Sequence, residues 1–597
     1  MNTVTPTLSD PVRLAVLTNR MEGIVRGMLN TMYRTGRSGI LNTARDVIAC
    51  IITPDDELLA CAESLPIMTL SGPELVTPWL REWHPEIKAG DAFLHNSPYH
   101  GNSHAGDHSV FAPVVDDAGE LRFWVCVKAH VADAGNSLPT TCQPSARDVY
   151  EEGSLIFAGV KVQAHYEHLE DVQRMCRLRL RVPELWNGDF LAMLGAVRTA
   201  ERELLDLSQE LGWEALQSYA SEWLDYSEGR MASAIRKLPR GTATGRTRYD
   251  AQVLAGIEDG LDISATVTVD ADSGRIVVDC RDNPDCVPCG INLTEATATA
   301  AVRFAVLNSL PGEIPANGGS FRRLQIRLRE NCVAGIPRHP ASCSMATTGV
   351  ATRLTGAVQI AFAELGDGLG MAEAGGMFAA SDSIISGRDP RRGGEPFVNL
   401  PVIGATGGAA GPHTDGWLLQ VGGAAGMMMR DSAEMDELLH PIRIEQDRLM
   451  PDTEGPGRLR GALSNYVEYG PVGTSIELVC TAESTESPAR GARGGLEAQV
   501  SHQYKRLRDG STEPVVSPSV VVLAPGESIV SYSSGGGGYG APHERHVASV
   551  LHDVREGYVT RAHAETIYGV VIGDDGEVDE AATTEARRVL AGGARNA

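Results

Sequence analysis

Apolar residues recur at helical spacing near the start of the chain. Leu14, Leu17, Met21, Ile24, Val25, Met28, Leu29 and Met32 share one face, and Asp10-Pro11 supplies a carboxylate cap followed by proline. The pattern predicts an amphipathic helix over 11–34, with its methionine stripe as core. Residues 46–62 (DVIACIITPDDELLACA) then predict strand, turn and strand around Pro54-Asp55-Asp56. A short helix follows from Gly72 to Trp83, then a turn at Lys88–Asp91 and a short strand at Ala92–Leu94. Val110–Val115 and Phe123–Lys128 read as buried strands joined by the turn Asp116–Gly119.

Residues 168–238 have a helical pattern punctuated by Pro183 and Gly188-Asp189, with a helical pair over 201–236. Near 240 the pattern shortens to strands, Ser264–Val269 and Arg275–Cys280. Helices return at 293–310, with Thr294 as N-cap, and at 350–365. Residues 366–430 are rich in Gly, Ala and Met (GMAEAGGMFAA, GATGGAAG, QVGGAAGMMMR), which suits a tightly packed interior or a backbone-lined pocket. Strands and turns alternate over 440–530. The run Ser533–Tyr539 reads as a flexible or ligand-approaching loop, and the tail 545–597 as two helices. The expected fold class is α+β, multidomain, with mixed helices and antiparallel-rich sheets. The expected domains are 1–240, a metal-site domain with a helical extension; 241–440, a central α/β domain with a Gly/Ala-rich core; and 441–597, a β-rich domain with a helical tail.

Composition narrows the class. A chain of 597 residues with 42% hydrophobic and 22% charged residues is an ordinary globular protein, too long for one core. A net charge of -25 disfavours nucleic acid and anionic membrane as partners. The start, MNTVTPTLSDPVRL, lacks a basic region followed by an apolar one, and no apolar run reaches membrane-spanning length. The 11 scattered cysteines suit reduced thiols, so a cytoplasmic location is expected.

Candidate chemistry concentrates in one window. His95, His100, His104, His108 and His130 fall among Asp107 and Asp133, in a chain holding 16 histidines overall. Imidazole and carboxylate together are the ligand set of Zn, Mn or Fe(II). His104-x-x-Asp107 with His130 is the sharpest set: two imidazoles and a carboxylate leave positions open for water or substrate. His104 and Asp107 are expected in a loop before one strand and His130 at the exit of the next. Asp133 is a candidate to orient His130, and Glu152 is a candidate acid or base beside Glu151 and Asp148. Weaker features are Cys286-x-x-Cys289 near Cys280, read as free thiols, and Arg490 with Arg493, read as a solvated turn. No GxxxxGK[ST] phosphate loop is present.

The window resembles the hydantoinase B/5-oxoprolinase family, whose signature is close to NDPYxGGTHxPD, then a strand pair, then a [KR]AHHADIGG-like segment. The matching residues are Asn96, Pro98, Tyr99, Gly101, His104 and Asp107, then Ala129-His130 and Ala132-Asp133. Further segments follow the family's order: Asn19–Glu22, Ala44–Asp46, Lys88–Asp91, Tyr150–Gly153, Ile314–Asn317, Gly455–Gly457 with Arg460-Gly461, and Gly535–Gly540. The chain departs from the pattern at Ser97, Asn102, Met68 and Val131, which leaves the presumed ligands intact but alters their surroundings.

The resemblance implies a two-part enzyme. A hydantoinase A-type ATPase partner would use ATP to phosphorylate a small-molecule substrate. This chain, with a divalent metal (Zn, Mn or Fe) on His104, Asp107 and His130, would complete the reaction within a hetero-oligomer. Asp133 and Glu152 would assist. The leading expectation is an ATP-dependent cyclic amidohydrolase of hydantoinase, oxoprolinase or lactamase type. The alternative is a bicarbonate-using ketone carboxylase of the acetone or acetophenone type. A third reading is a scaffold with a structural metal, but structural sites usually close with four protein ligands.

Overall fold

The computed structural model describes residues 10–253, 257–404, 407–420, 426 and 428–593. Most of the opening segment MNTVTPTLSDPVRL lies outside these residues, as do parts of GATGGAAG and QVGGAAGMMMR and the last four residues of the tail.

The N-terminal part is built on a seven-stranded sheet. Its strands are β1 (Val47–Ile52), β2 (Leu58–Cys61), β3 (Ala92–His95), β4 (Asp107–Val115), β5 (Leu121–His130), β6 (Val160–Ala164) and β7 (Glu167–His168). The order across the sheet is β2-β1-β5-β4-β3-β6-β7, and every pairing is antiparallel. β1 and β4 are buried along their whole length, so both faces of the sheet are covered.

One cover is a pair of long helices, Pro11–Thr35 and Pro183–Leu211, which pack on each other and against β1, β4 and β5. Asp10 caps the first helix, its carboxylate accepting from the amides of Val12 and Arg13. The predicted apolar stripe, Leu14 to Met32, is buried. The expected break at Gly188-Asp189 does not occur. Asp189 is inside the second helix and its carboxylate accepts the amides of Arg37 and Ser38. Tertiary hydrogen bonding there outweighs a weak local helix signal. The helical pair expected over 201–236 breaks instead at Gly212, between Pro183–Leu211 and Trp213–Ile235.

A second sheet, β8 (Gly241–Tyr249), β9 (Leu261–Asp270), β10 (Arg275–Asp279) and β11 (Leu324–Arg327), runs in the order β11-β10-β9-β8. It is covered by the helix Gly349–Leu365, which also packs on the helix Glu295–Ser309. Thr294 caps the latter in a capping box with Thr297. Two smaller sheets follow. In one, Ile384–Asp389 and Glu395–Asn399 share a sheet with Ile476–Cys480 and Ser519–Leu523, so residues on both sides of 440 pair in a single ladder. The tail holds three helices, Val547–Arg555, Arg561–Tyr568 and Glu580–Gly593, one more than the pattern predicts. The fold is α+β with mixed helices and antiparallel-rich sheets.

The glycine run Gly535–Gly540 is buried rather than a flexible loop. Its backbone hydrogen-bonds to the extended segments at 373, 407–410, 455–462 and 492–499. A Cβ on Gly536 would stand 1.9 Å from the Gly408 carbonyl oxygen, so only glycine permits these main chains to lie this close.

Candidate metal centre

Three neighbouring strands build the site. β5 lies between β1 and β4. His130, the last residue of β5, pairs with Asp107, the first residue of β4. Its backbone N–H donates to the carbonyl of Asp46, just before β1, at 3.1 Å. Directly paired residues in an antiparallel sheet point to the same face. Asp46, His130 and Asp107 therefore form one row across three strands. Asp107 is thus the first residue of the strand, not a residue of the loop expected before it. The next residue, His108, points to the opposite face, where its Nδ1 accepts from Trp186 Nε1 at 3.1 Å.

His104 reaches the row from the turn before β4. Its Nε2 lies 3.0 Å from Asp107 Oδ1 and 3.2 Å from His130 Nδ1, and His130 Nδ1 lies 2.9 Å from Asp107 Oδ1. Two donors bound to one ion at right angles stand about 3 Å apart, so these separations suit a shared cation. His104 and Asp107 are fully buried and His130 is 5% exposed. Among the described residues no other group of three histidine, cysteine or carboxylate side chains converges in this way.

The surrounding hydrogen bonds orient the ligand atoms. His104 Nδ1 lies 2.7 Å from the Ser344 carbonyl oxygen and therefore carries the hydrogen, which leaves Nε2 with its lone pair toward the cluster. His130 Nε2 is held by Thr141 Oγ1 at 2.7 Å, leaving Nδ1 for the cluster. Ser103 Oγ donates to Asp107 Oδ2. Asn102 ties the turn together, donating to the carbonyls of His104 and Asp107, both at 2.8 Å.

Two observations test whether a metal fits. Asp46 is buried, yet its Oδ1 has no hydrogen-bond partner. An orphaned carboxylate oxygen beside two imidazoles is what a missing cation would leave. In addition, a Cβ on Gly106 would lie 2.9 Å from His104 Cε1 and 3.0 Å from His130 Cε1. The glycine keeps the space between the two rings clear. Two nitrogens and a carboxylate oxygen are a donor set that a metal ion can take.

Gly106→Ala is accordingly expected to push the imidazoles apart and weaken metal binding about 10- to 100-fold, with an unchanged far-ultraviolet circular dichroism spectrum. Titration of the metal-free protein against a chromogenic chelator measures this. Equal affinity in both proteins would remove the rings from the site.

The three buried groups perturb one another electrostatically. Burial pushes the Asp107 carboxyl up, but the two imidazoles outweigh it and hold it well below the usual carboxylate range. Burial would lower His104, but Asp107 overrides it and the imidazole is raised. Asp46 is pushed up to about 6, first by burial and then by Asp107, against the pull of His130.

Glu152 belongs to the surroundings of the cluster. It ends the short helix Val149–Glu152, is 3% exposed, and accepts from Ser342 Oγ at 2.6 Å and Ser154 Oγ at 3.1 Å. Burial raises its carboxyl above the usual range, and His104 pulls it down. Ser342 and Ser344, two residues apart, thus connect Glu152 to His104. Asp133 is directed elsewhere: its carboxylate accepts from the amides of Gly135 and Arg181 and pairs with the Arg181 guanidinium at 3.3 Å. It holds the loop after β5 rather than hydrogen-bonding to the His130 ring.

The other histidines of the window stand outside the cluster. Burial lowers His95 and His108 to about 3, so both are neutral. His100 Nδ1 bonds to Ser97 Oγ at 2.8 Å. All cysteines are free thiols, and Cys286 and Cys289 join no ligand cluster among the described residues. Arg490 is tied to the backbone, Nη1 donating to the Arg246 carbonyl at 3.1 Å.

Sequence reasoning missed Asp46, Thr141, Ser344 and Lys128. Lys128, two residues before His130, is fully buried and donates to the Met68 carbonyl at 3.3 Å. Asp46 had one readable signal, an acid at the edge of an apolar strand. Ser344 lies 240 residues from His104 and had none.

The chain is 30% identical over 596 residues to caprolactamase subunit beta of Pseudomonas jessenii, covering 98% of this chain and 99% of the relative. The crystal structure of the ATP-dependent caprolactamase of that organism superposes with a TM-score of 0.87 at 29% identity, covering 98% of this chain and all of the other. The nucleotide-free structure of acetone carboxylase superposes with a TM-score of 0.85 at 17% identity, covering 98% and 84% of the two chains, a likeness of fold. The hydantoinase B/oxoprolinase family model matches residues 10–542, and with this span and the built ligand cluster the chain belongs to that family.

Proposed function

We propose that this chain is the metal-binding catalytic subunit of an ATP-dependent cyclic amidohydrolase, acting on an intermediate that a hydantoinase A-type ATPase subunit has phosphorylated. The observation that carries the reading is the buried His104–Asp107–His130 cluster in a chain similar along its whole length to a caprolactamase subunit. Zn, Mn or Fe(II) would be held by these three residues, with the buried Asp46 carboxyl nearby. Such an ion supplies Lewis acidity to a carbonyl or imidate oxygen and lowers the pKa of water.

The chain's own residues have separate tasks. The Ser344 carbonyl fixes the tautomer of His104, and Thr141 orients the His130 ring. Glu152, a buried carboxyl with a raised pKa, is suited to exchange a proton with the amide nitrogen or with the attacking water. Asp133, through Arg181, positions the loop between His130 and Glu152. The cluster is buried, so a substrate that reaches it is small or is seated by the assembly.

The test is a reconstitution. The chain is co-purified with its ATPase partner and ATP hydrolysis is followed over lactams, hydantoins and ketones, with and without bicarbonate. Lactam- or hydantoin-stimulated ATP hydrolysis that ignores bicarbonate is expected. Stimulation by ketones that requires bicarbonate would overturn the amidohydrolase reading in favour of carboxylation.

A further inference from the structure

A cavity of about 630 Å³ lies apart from the metal cluster. β2, the helices Pro11–Thr35, Trp213–Ile235 and Glu295–Ser309, and the segments 62–70 and 409–420 all contribute to its wall. The lining is mainly apolar and aromatic, with Leu59, Cys61, Trp223, Phe304, Met371 and Trp417 around the space. The short helix Pro66–Thr69 separates it from the metal row. Pro66 and Thr69 line the cavity, while the Met68 carbonyl between them receives the Lys128 hydrogen bond on the other side.

The charge of the wall is one-sided. Glu22, Glu63 and Asp415 line it, and among the described residues no lysine, arginine or histidine does. Asp415 is already paired with Arg545 at 2.7 Å, and Glu22 lies 3.5 Å from Arg26 on the helix surface. A carboxylate entering this space would lose water and find no cation in the wall to pair with. A neutral hydrocarbon ring would bury apolar surface and lose nothing. The volume is in the range of small-molecule sites.

We propose that this cavity is a second binding site, selective for uncharged apolar small molecules over carboxylate-bearing ones of the same shape. That the molecule is the cyclic amide before its activation rests on the function proposed above; the selectivity itself does not.

The experiment uses the full chain and ligand-observed NMR titration with 2-pyrrolidinone, δ-valerolactam, ε-caprolactam and 5-oxoproline at neutral pH. The pair 2-pyrrolidinone and 5-oxoproline share a ring and differ by one carboxylate. Affinity is expected to rise about fourfold for each added ring methylene, and 5-oxoproline to bind at least about tenfold more weakly than 2-pyrrolidinone. Thr18→Trp, a substitution on a helix surface at the wall, is expected to weaken ε-caprolactam binding by about tenfold or more. Glu63→Lys, at an exposed position, is expected to narrow or invert the discrimination against 5-oxoproline. Equal binding of the matched pair, or binding untouched by Thr18→Trp, would overturn the proposal. The His104→Ala variant separates the two sites. Binding retained there supports the cavity even if the reconstituted enzyme hydrolyses no lactam, and binding lost there places the ligand at the metal row and overturns the cavity.

Discussion

Asp107→Asn is expected to abolish turnover while the protein stays folded. Asp107 Oδ1 is the atom on which both imidazoles converge, at 3.0 and 2.9 Å. Asparagine keeps the shape and one acceptor oxygen but removes the negative charge that offsets a divalent cation. The loss of one ligand charge in a water-excluded site is worth several kcal/mol. We therefore expect metal content to fall from near one ion per chain to a trace, and substrate-dependent activity in the reconstituted complex to drop about 1,000-fold or more. Elemental analysis and the ATP-coupled assay read the two effects. Chelator treatment supplies the control. It should lower the thermal midpoint of the wild type, because an ion bound only by the folded chain stabilises it, and leave the midpoint of Asp107→Asn unchanged. A variant with full metal and full activity would remove Asp107 from the ligand set.

The second large effect concerns stability. Arg353, on the helix Gly349–Leu365, and Glu373 form an ion pair in which each side chain is 1% exposed. Arg353 Nη2 also donates to Ser484 Oγ at 2.7 Å and to the Ser487 carbonyl at 3.3 Å. The remaining oxygen of Glu373 accepts the Arg490 amide at 3.2 Å. One guanidinium therefore fastens the second sheet's covering helix to the 484–490 segment. Arg353→Met leaves Glu373 buried without its counter-ion, and removing one partner of such a pair costs about 3–5 kcal/mol.

The loss should depend on pH. Burial pushes the neighbouring Glu483 carboxyl up to about 7, and Arg353 pulls it back. A carboxyl whose folded value exceeds its unfolded one contributes stability at low pH and loses it as pH rises through the folded value. Without Arg353 that loss deepens. The variant should thus be weaker relative to wild type at pH 8 than at pH 5, as read from thermal midpoints at both. A pH-independent difference would mean that Arg353 acts through packing alone.

Local patterning carried much of this fold. The helix at Pro11–Thr35, the strand pairs around residues 54 and 118, and the Thr294 cap each depend on residues within one or two turns of each other. Where local signals were weak, distant partners decided. Gly188-Asp189 stays helical because residues 37 and 38 offer amides to the carboxylate. The glycine run at 535–540 is paired because four other segments supply its hydrogen bonds.

The site divides in the same way. Residue type and spacing, with the family pattern, single out His104, Asp107 and His130 in the sequence by itself. The pairing of opposite strands is a tertiary matter. Asp46 joins the row because β1 lies beside β5, and a shift of one residue in that register would turn it to the other face. The orientation of the imidazoles depends on Thr141 and Ser344, and the environment of Glu152 on Ser342; the cavity gathers side chains from residue 18 to residue 420. Side-chain period is written into neighbouring residues. Register, burial and hydrogen-bond partners across hundreds of residues exist only once the chain has closed on itself.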